Sequence, residues 1–202
     1  MNYYLVIKRL LDFLISLTFI TLISPLIILI SFVIKLTSKG PIFYRGCRAG
    51  KHNKNFYIIK FRSMIPNADE LGGPSTALND KRLTPFGKFL RNTKLDEFPQ
   101  LFNVLMGDMS FVGPRPQVNY YTNKYKGEEK KILSVKPGIT DYASIEFSNM
   151  DKTLGSLDVD NYYEKNIEPK KNYLRIKYVK EISFKNDLII LLRTFLKLIT
   201  NK

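Results

Sequence analysis

The chain has 202 residues, 45% of them hydrophobic and 25% charged, with 32 Lys and Arg against 18 Asp and Glu and a formal net charge of +14. That length supports one buried core of ordinary size, and 10 Pro and 11 Gly without a repeat period exclude a fibrous, disordered or solenoid chain. One cysteine, Cys47, excludes an intramolecular disulfide framework and points to a reducing compartment, while one histidine, His52, excludes a multi-His zinc cluster.

The first element is apolar. Phe13 to Ile34 runs 22 residues without a charge, and a continuous helix of that length reaches ~33 Å, enough for a ~30 Å hydrocarbon core. Pro25, preceded by Ser24, interrupts it. In a helix its ring presses on the carbonyl of Thr21 and one backbone bond is lost, at roughly 3 kcal/mol unless the helix bends. Lys8 and Arg9 precede the run and Lys35 and Lys39 follow it, so the cytoplasmic bias of basic residues asks the same side of both ends. A re-entrant helix, broken near Ser24 and Pro25 with Ser24 bonding a freed carbonyl, satisfies both flanks, and Asp12 then reaches the interface. The competing readings are a kinked span and a cleaved signal peptide; the latter lacks a convincing small-residue cleavage site.

From Lys35 to Ala68 eight Lys or Arg stand without an acid, a block suited to an anionic leaflet or to phosphate ligands. Within it PIFYR (41–45) and NFYIIKFRSM (55–64) read as the strands of a hairpin turned by Gly46 to Asn55, with His52 a solvated turn residue. Residues 66–82 form a loop rich in turn residues. Thr84 followed by Pro85 starts a helix with Phe86, Phe89 and Leu90 on one face. The next helix carries Leu101, Phe102 and Leu105 and ends before Gly107. Proline is tolerated only in a first turn, so Pro99 sets the start at or just before Asp96, which puts Asp96 and Glu97 at the positive end of the dipole. Asp151, Asp158, Asp160, Glu164 and Glu168 read as a solvated loop rather than metal ligands. At the C-terminus Leu188, Leu191, Leu192, Phe195 and Ile199 make an apolar stripe beside Arg193 and Lys197, which describes an interfacial helix or a core helix with basic flanks equally well.

Chemistry concentrates in LDEFPQLFNVLMGDMSFVGPRP (95–116), preceded by the basic TPFGKFLRNTK (84–94). An Asp at a helix start caps by default. Here, however, Asp96 and Glu97 stand among Arg91, Lys94, Arg115, Lys60 and Arg62. Carboxylates kept ionised by cations can serve as nucleophile or Mg²⁺ ligand, while arginines hold phosphate oxygens by bidentate bonds. Arg115, between Pro114 and Pro116, is preorganised for an oxyanion or for a structural ion pair.

KRLLDF (8–13), the Ser24 and Pro25 break, KFRSM (60–64), the block 95–116 and VKPGIT (135–140) together resemble the bacterial sugar transferases that initiate glycan assembly on a lipid carrier, the monotopic phosphoglycosyl transferases. The resemblance runs over nearly the whole chain. It implies an α+β fold with a re-entrant anchor over residues 1–40, interfacial amphipathic helices and a small mixed catalytic body over 41–202, held at the cytoplasmic face of the bacterial inner membrane. It also implies Mg²⁺ and transfer of a sugar phosphate from a UDP-sugar donor to a polyprenyl (undecaprenyl) phosphate acceptor, with UMP released, in polysaccharide or glycoconjugate biosynthesis. By matching position Asp96 resembles the family nucleophile, Glu97 its acidic partner near the metal, and Arg115 the phosphate-binding arginine. Lys60, Arg62 and Arg91 are the further substrate-binding candidates. DYAS (141–144) stands where GWAQ is common after PGIT, and Phe98 stands where Leu is usual.

The chemistry suits the composition, since two anionic substrates need cations as the leaving phosphate departs. A glycosidase needs two carboxyls about 5 to 9.5 Å apart flanking one bond, whereas neighbours on a helix start diverge by roughly 100°. A binding module is the rival from another class, because a charge of +14 with 12 Tyr and 14 Phe suits single-stranded nucleic acid or anionic lipid. The apolar N-terminus confines such a module to a membrane, so no nucleic-acid partner is expected. The sugar and the oligomeric state are left open by the sequence.

Overall fold

Pro25 does not end the first helix. In the computed structural model, which describes residues 3–68, 71, 80–148 and 159–200, helix α1 runs from Tyr3 to Thr37 with the proline inside it. Ser24 Oγ donates to the carbonyl of Thr21 at 2.9 Å, the acceptor that Pro25 cannot serve. Other hydroxyls on the helix also bond back one turn: Thr18 to Leu14 and Thr21 to Leu17, each at 2.9 Å, and Ser31 to Ile27 at 2.7 Å. These donors are satisfied without water, which lets the helix carry them into an apolar medium.

One stripe of α1 packs on the rest of the chain from end to end. Arg9, Asp12, Ser16, Phe19, Ile23, Ile27, Ile30 and Ile34 recur at spacings of three and four, one side of a helix. Arg9 donates to the carbonyls of Val104 (2.6 Å) and Leu105 (2.8 Å) in the last turn of a later helix, the negative end of its dipole; the Val104 carbonyl also accepts the Gly107 N–H at 3.0 Å. Lys8 reaches the carbonyl of Val112 at 2.8 Å and pairs with Asp187. Asp12 is buried and accepts the Phe111 backbone N–H at 3.2 Å. The expectation that Asp12 reaches the interface is therefore corrected: its carboxylate is spent on the body. Ile27, Ile30 and Ile34 enter a core with Phe61 and Leu90. The other side of α1, including Leu10, Leu17, Leu22, Ile28, Leu29 and Phe32, is exposed and apolar. By length and composition the helix could cross a membrane.

The expected hairpin forms, but its first strand reaches Ala49, into the segment read as turn, and its second ends at Phe61 rather than Met64. β1 (Phe43–Ala49) and β2 (Asn55–Phe61) pair antiparallel, Tyr44 opposite Lys60, and exposed His52 lies in the turn. Helix α2 (Pro85–Asn92) starts on a Thr84 cap whose side chain accepts the Gly87 N–H at 2.9 Å. Leu90 and Phe86 turn inward, but Phe89 is exposed, so the expected shared apolar face is narrower than three residues. Helix α3 (Gln100–Met106) lies across β2, where Val104 joins Phe56, Ile58 and Met109 in a second core. β3 (Ser110–Val112) and β4 (Gly138–Thr140) then pair in parallel. They bring the GPRP and PGIT segments so close that a Cβ on Gly138 would fall 2.1 Å from the Gly113 nitrogen. α4 (Asn119–Thr122) and α5 (Tyr142–Glu146) are short. α6 (Val159–Tyr162) continues through a wide turn, Tyr163–Ile167, into α7 (Glu168–Lys180), and α8 (Phe184–Thr200) follows.

The fold is mixed helix and sheet, as expected, with two two-stranded sheets among the described residues. Two expectations change. Glu168 is buried and paired with buried Arg175 at 3.0 Å, so it belongs to a helix core and not to a solvated loop. Glu164 is solvated and pairs with Lys124, while Asp151, Asp158 and the side chain of Asp160 lie outside the described residues, as does most of the loop 66–82. On α8 the stripe Leu188, Leu191, Leu192, Phe195 and Ile199 is exposed, and Ile190 makes the core contact instead.

Gly87 tests the docking of α2. Alanine favours a helix interior over glycine by about 1 kcal/mol, yet a Cβ here would lie 1.9 Å from the Ser63 carbonyl oxygen. Backbone cannot yield as a side chain does, so Gly87→Ala should lose roughly 2 kcal/mol or more. A denaturant melt showing a net gain would mean that α2 does not rest on Ser63.

Candidate active site

The carboxylates sit on a tight turn rather than on the helix proper. Lys94, in the left-handed conformation (φ 59°), turns the chain out of α2, Leu95–Glu97 form one 3-10 turn, and α3 begins only at Gln100 with Pro99 at its N-cap. No side chain caps either element. The default expectation that Asp96 is a cap is thereby corrected, and its carboxylate is left for other work.

The two acids are in opposite electrostatic states. Glu97 Oε1 receives Lys60 Nζ at 2.8 Å and the Nη2 of Arg115. Burial alone would raise its pKa, but Arg115 and then Lys60 overcome this and hold the carboxyl well below the usual range. Asp96 is only 5% exposed, and among the described residues its side chain takes no hydrogen bond or ion pair. Burial pushes its pKa up, with Lys60 opposing and Glu97 reinforcing. One acid is thus a fixed anion clamped by cations. The other is a poorly solvated, more basic carboxylate beside them.

Backbone geometry brings these groups together. Asn103, fully buried on α3, donates to the carbonyl of Tyr57 (2.8 Å) and accepts the N–H of Ile59 (2.9 Å). Its amide acts as a short strand against β2 and fixes the spacing between Lys60 and the turn that carries Glu97. Arg115 follows β3. Its Nη1 donates to the carbonyl of Ile139 at 3.2 Å and its backbone N–H to Asp141 Oδ2 at 3.2 Å. One third of the Arg115 side chain is open (33%). Sequence reading missed Asn103 and Asp141; the available signal for Asn103 was an amide in the middle of the apolar run LFNVL. Gln100, one turn beyond Asp96, is also fully buried, and neither of its amide atoms is hydrogen-bonded among the described residues.

Of the expected site residues, Lys60, Glu97 and Arg115 meet directly, with Asp96 beside them. Arg91 is near enough for its charge to act on Asp96 and is held by Ser63 Oγ at 3.0 Å. Arg62 is not brought to the pair. It is buried against the end of α1, with Nη2 donating to Ser38 O at 2.8 Å and Oγ at 2.7 Å. No group of three or more His, Cys, Asp and Glu side chains suited to a metal occurs among the described residues.

Asp96 and Glu97 should respond oppositely to neutralisation. A carboxyl whose pKa is raised on folding holds its proton longer in the native state, so stability falls as pH rises from the unfolded value of ~3.9 through the native one. At neutral pH the Asp96 charge is a net cost, and Asp96→Asn should melt at the same or a higher temperature. Glu97→Gln strands Lys60 and Arg115 and should lose roughly 2 to 3 kcal/mol. Thermal melts at pH 7 of the two variants that shift in the same direction would refute the assignment of these states.

The family model for bacterial sugar transferases matches residues 3–201. Over 201 residues the chain is 38% identical to the UDP-glucose:undecaprenyl-phosphate glucose-1-phosphate transferase of Klebsiella pneumoniae, covering 98% of this chain and 41% of that protein. It is 38% identical over 169 residues to the UDP-N-acetylgalactosamine-undecaprenyl-phosphate N-acetylgalactosaminephosphotransferase of Aeromonas hydrophila, covering 81% of this chain and 40% of that one. The sugar transferase EpsL of Bacillus subtilis is 35% identical over 162 residues, 80% of this chain and 79% of its own length. The chain therefore spans about two fifths of the first two relatives and most of the third. The match covers the anchor helix, the paired carboxylates and the GPRP and PGIT segments alike, and the chain belongs to the bacterial sugar transferase family.

Proposed function

We propose that the protein transfers a sugar phosphate from a UDP-sugar to polyprenyl (undecaprenyl) phosphate through a covalent intermediate on Asp96. The observation that carries this reading is the unequal pair: a buried, unpaired carboxylate next to one that two cations hold ionised. The Klebsiella and Aeromonas relatives are named for transfer to undecaprenyl phosphate with different sugars, so the reading is of a reaction class and not of one sugar.

In the first step an Asp96 carboxylate oxygen attacks the phosphorus that bears the sugar. The bond between the two phosphates breaks and UMP leaves with its electron pair. In the second step an oxygen of polyprenyl phosphate attacks the same phosphorus, and Asp96 is released as carboxylate. Splitting one displacement into two lowers the demand on each. Desolvation suits Asp96 for attack, because a carboxylate stripped of water and given no hydrogen bond is a stronger nucleophile. Arg115, partly open, and Arg91, engaged among the described residues through its Nε by Ser63, offer guanidinium edges to phosphate oxygens.

The donor set fits Mg²⁺, an ion that binds one or two carboxylates and takes its remaining ligands from substrate phosphates and water. Asp96 and the Oε2 of Glu97 carry no hydrogen bond among the described residues and would hold it. When bound, the ion supplies neutralisation of the charge that builds on the departing phosphate.

We read α1 as a re-entrant anchor. Both ends are tied to one body, through Lys8, Arg9 and Asp12 at one end and Ile34 and the Ser38 to Arg62 bond at the other, while the opposite side is apolar and exposed. A helix held at both ends by the same body cannot leave those ends on opposite faces of a membrane. The exposed stripe of α8 beside Arg193 and Lys197 supports an interfacial helix. The basic residues at both ends of the apolar run support a body at the cytoplasmic face of the inner membrane.

Incubation of purified protein with a UDP-sugar and Mg²⁺, without acceptor, should release a stoichiometric burst of UMP, and Asp96→Asn should abolish it. UDP as sole product would overturn the reaction class, and UMP that appears only with acceptor would overturn the covalent intermediate. For topology, cysteines placed at Asn2 and Ser38 in a Cys47→Ser background should both react from the cytoplasm only. Labelling of either from outside would overturn the re-entrant reading.

A further inference from the structure

The DYAS segment has no part in the chemistry above, yet its first residue touches the phosphate-binding arginine. Backbone pairing between the two motif strands runs out next to Arg115. The N–H of Gly113 meets the carbonyl of Thr140 at 3.0 Å, and the N–H of Gly138 meets that of Pro114 at 3.0 Å. Pro114 has no N–H to continue the ladder, and after Thr140 the chain leaves β4 for α5. The next donor, the N–H of Arg115, has no strand carbonyl left to meet.

Asp141 fills that place with its side chain. It is fully buried. Its Oδ2 accepts the Arg115 N–H at 3.2 Å, while its Oδ1 accepts the Ser144 N–H at 2.6 Å and the Ser144 hydroxyl at 2.7 Å. One carboxylate thus extends the ladder by a residue and caps α5 at the same time. α5 is itself seated on α7 and α8, so Arg115 is referred to the helical layer as well as to the strands. The charges of Arg115, Lys171 and Arg175 are near enough to act on the carboxylate. A residue without a side-chain acceptor at 141 would leave the Arg115 N–H without this partner.

We propose that Asp141 is a positioning residue, which holds Arg115 at the angle needed to grip the donor's phosphate. This rests on the assignment of Arg115 to phosphate made above. Asp141 touches no substrate; it acts through the arginine backbone. Because reaction rates respond steeply to small misplacements of a positioned group, loss of this bond should show in use of the donor.

Asp141→Ser separates the two roles, since serine caps a helix about as well as aspartate but has one short oxygen and cannot serve Arg115 as well. UMP release would be measured with the full-length protein in detergent, using UDP-glucose and UDP-N-acetylgalactosamine in turn. Asp141→Ser should lose about tenfold in kcat/KM for the donor, measured on the folded fraction. Ser144→Ala, which leaves the Arg115 bond in place, should stay within about twofold. If Asp141→Ser folds poorly, Asp141→Asn serves, with one oxygen for two tasks. In an Arg115→Lys background the position 141 substitution should cost less than about twofold, because its effect passes through the arginine. Full donor use in Asp141→Ser, or the same loss in the Arg115→Lys background as in wild type, would overturn the proposal and leave Asp141 a helix cap. Wild-type kcat/KM in Arg115→Lys alone would overturn the phosphate assignment itself, and the proposal with it.

Discussion

A single carboxylate oxygen, Oε1 of Glu97, joins three parts of the chain. Lys60 comes from the hairpin, Arg115 from the loop after β3, and Glu97 from the turn before α3. Among the described residues none of these elements makes a continuous sheet with another, since β1 pairs with β2 and β3 with β4. Their relative placement therefore relies on side chains, and the charged junction at Glu97 is reinforced by Asn103, which holds α3 to β2 with two further bonds. Hydrogen bonds to charged groups in a poorly solvated place are worth roughly 1.5 to 3 kcal/mol each, a sizeable share of the 5 to 15 kcal/mol that keeps a domain folded. Asp96 inherits its position from that junction. Among the described residues its side chain adds no hydrogen bond or ion pair to the fold, and its burial is tolerated because its neighbour and the cations are already fixed.

The anchor helix is not an appendage. Ile27, Ile30 and Ile34 form a core with Phe61 and Leu90, the residues that hold the hairpin and α2. Arg9 closes the end of α3, and Lys8 and Asp12 bind the backbone of β3. Asp187, on α8, meets Lys8 and Tyr4 of α1, and the Tyr178 hydroxyl lies 2.9 Å from the same carboxylate and 3.0 Å from the carbonyl of Val112. The two helices with exposed apolar faces, α1 and α8, are thus bonded to each other and to the strand that leads into Arg115. A surface that seated these two helices would therefore also fix Glu97 and Arg115, as the proposed reaction with a membrane-held phosphate requires.

The sequence by itself determined the elements with strong local causes: the apolar helix from its uncharged run, the hairpin from alternating strands about a polar turn, and the start of α2 from Thr84 and Pro85. It also singled out Asp96, Glu97, Lys60, Arg62, Arg91 and Arg115, by their density of charge and by their place in motifs that resemble the family's. Tertiary structure alone decided how the charges pair. Sequence offers Arg62 and Lys60 on equal terms, yet Lys60 meets Glu97 while Arg62 turns to Ser38, a choice made by where α1 ends. The same holds for Asp12, Glu168 and Asp141, polar residues whose partners lie 99, 7 and 26 positions away. Hydrophobic period and turn chemistry are local and survive in a string of letters, whereas a buried polar group is explained only by the partner that folding brings to it.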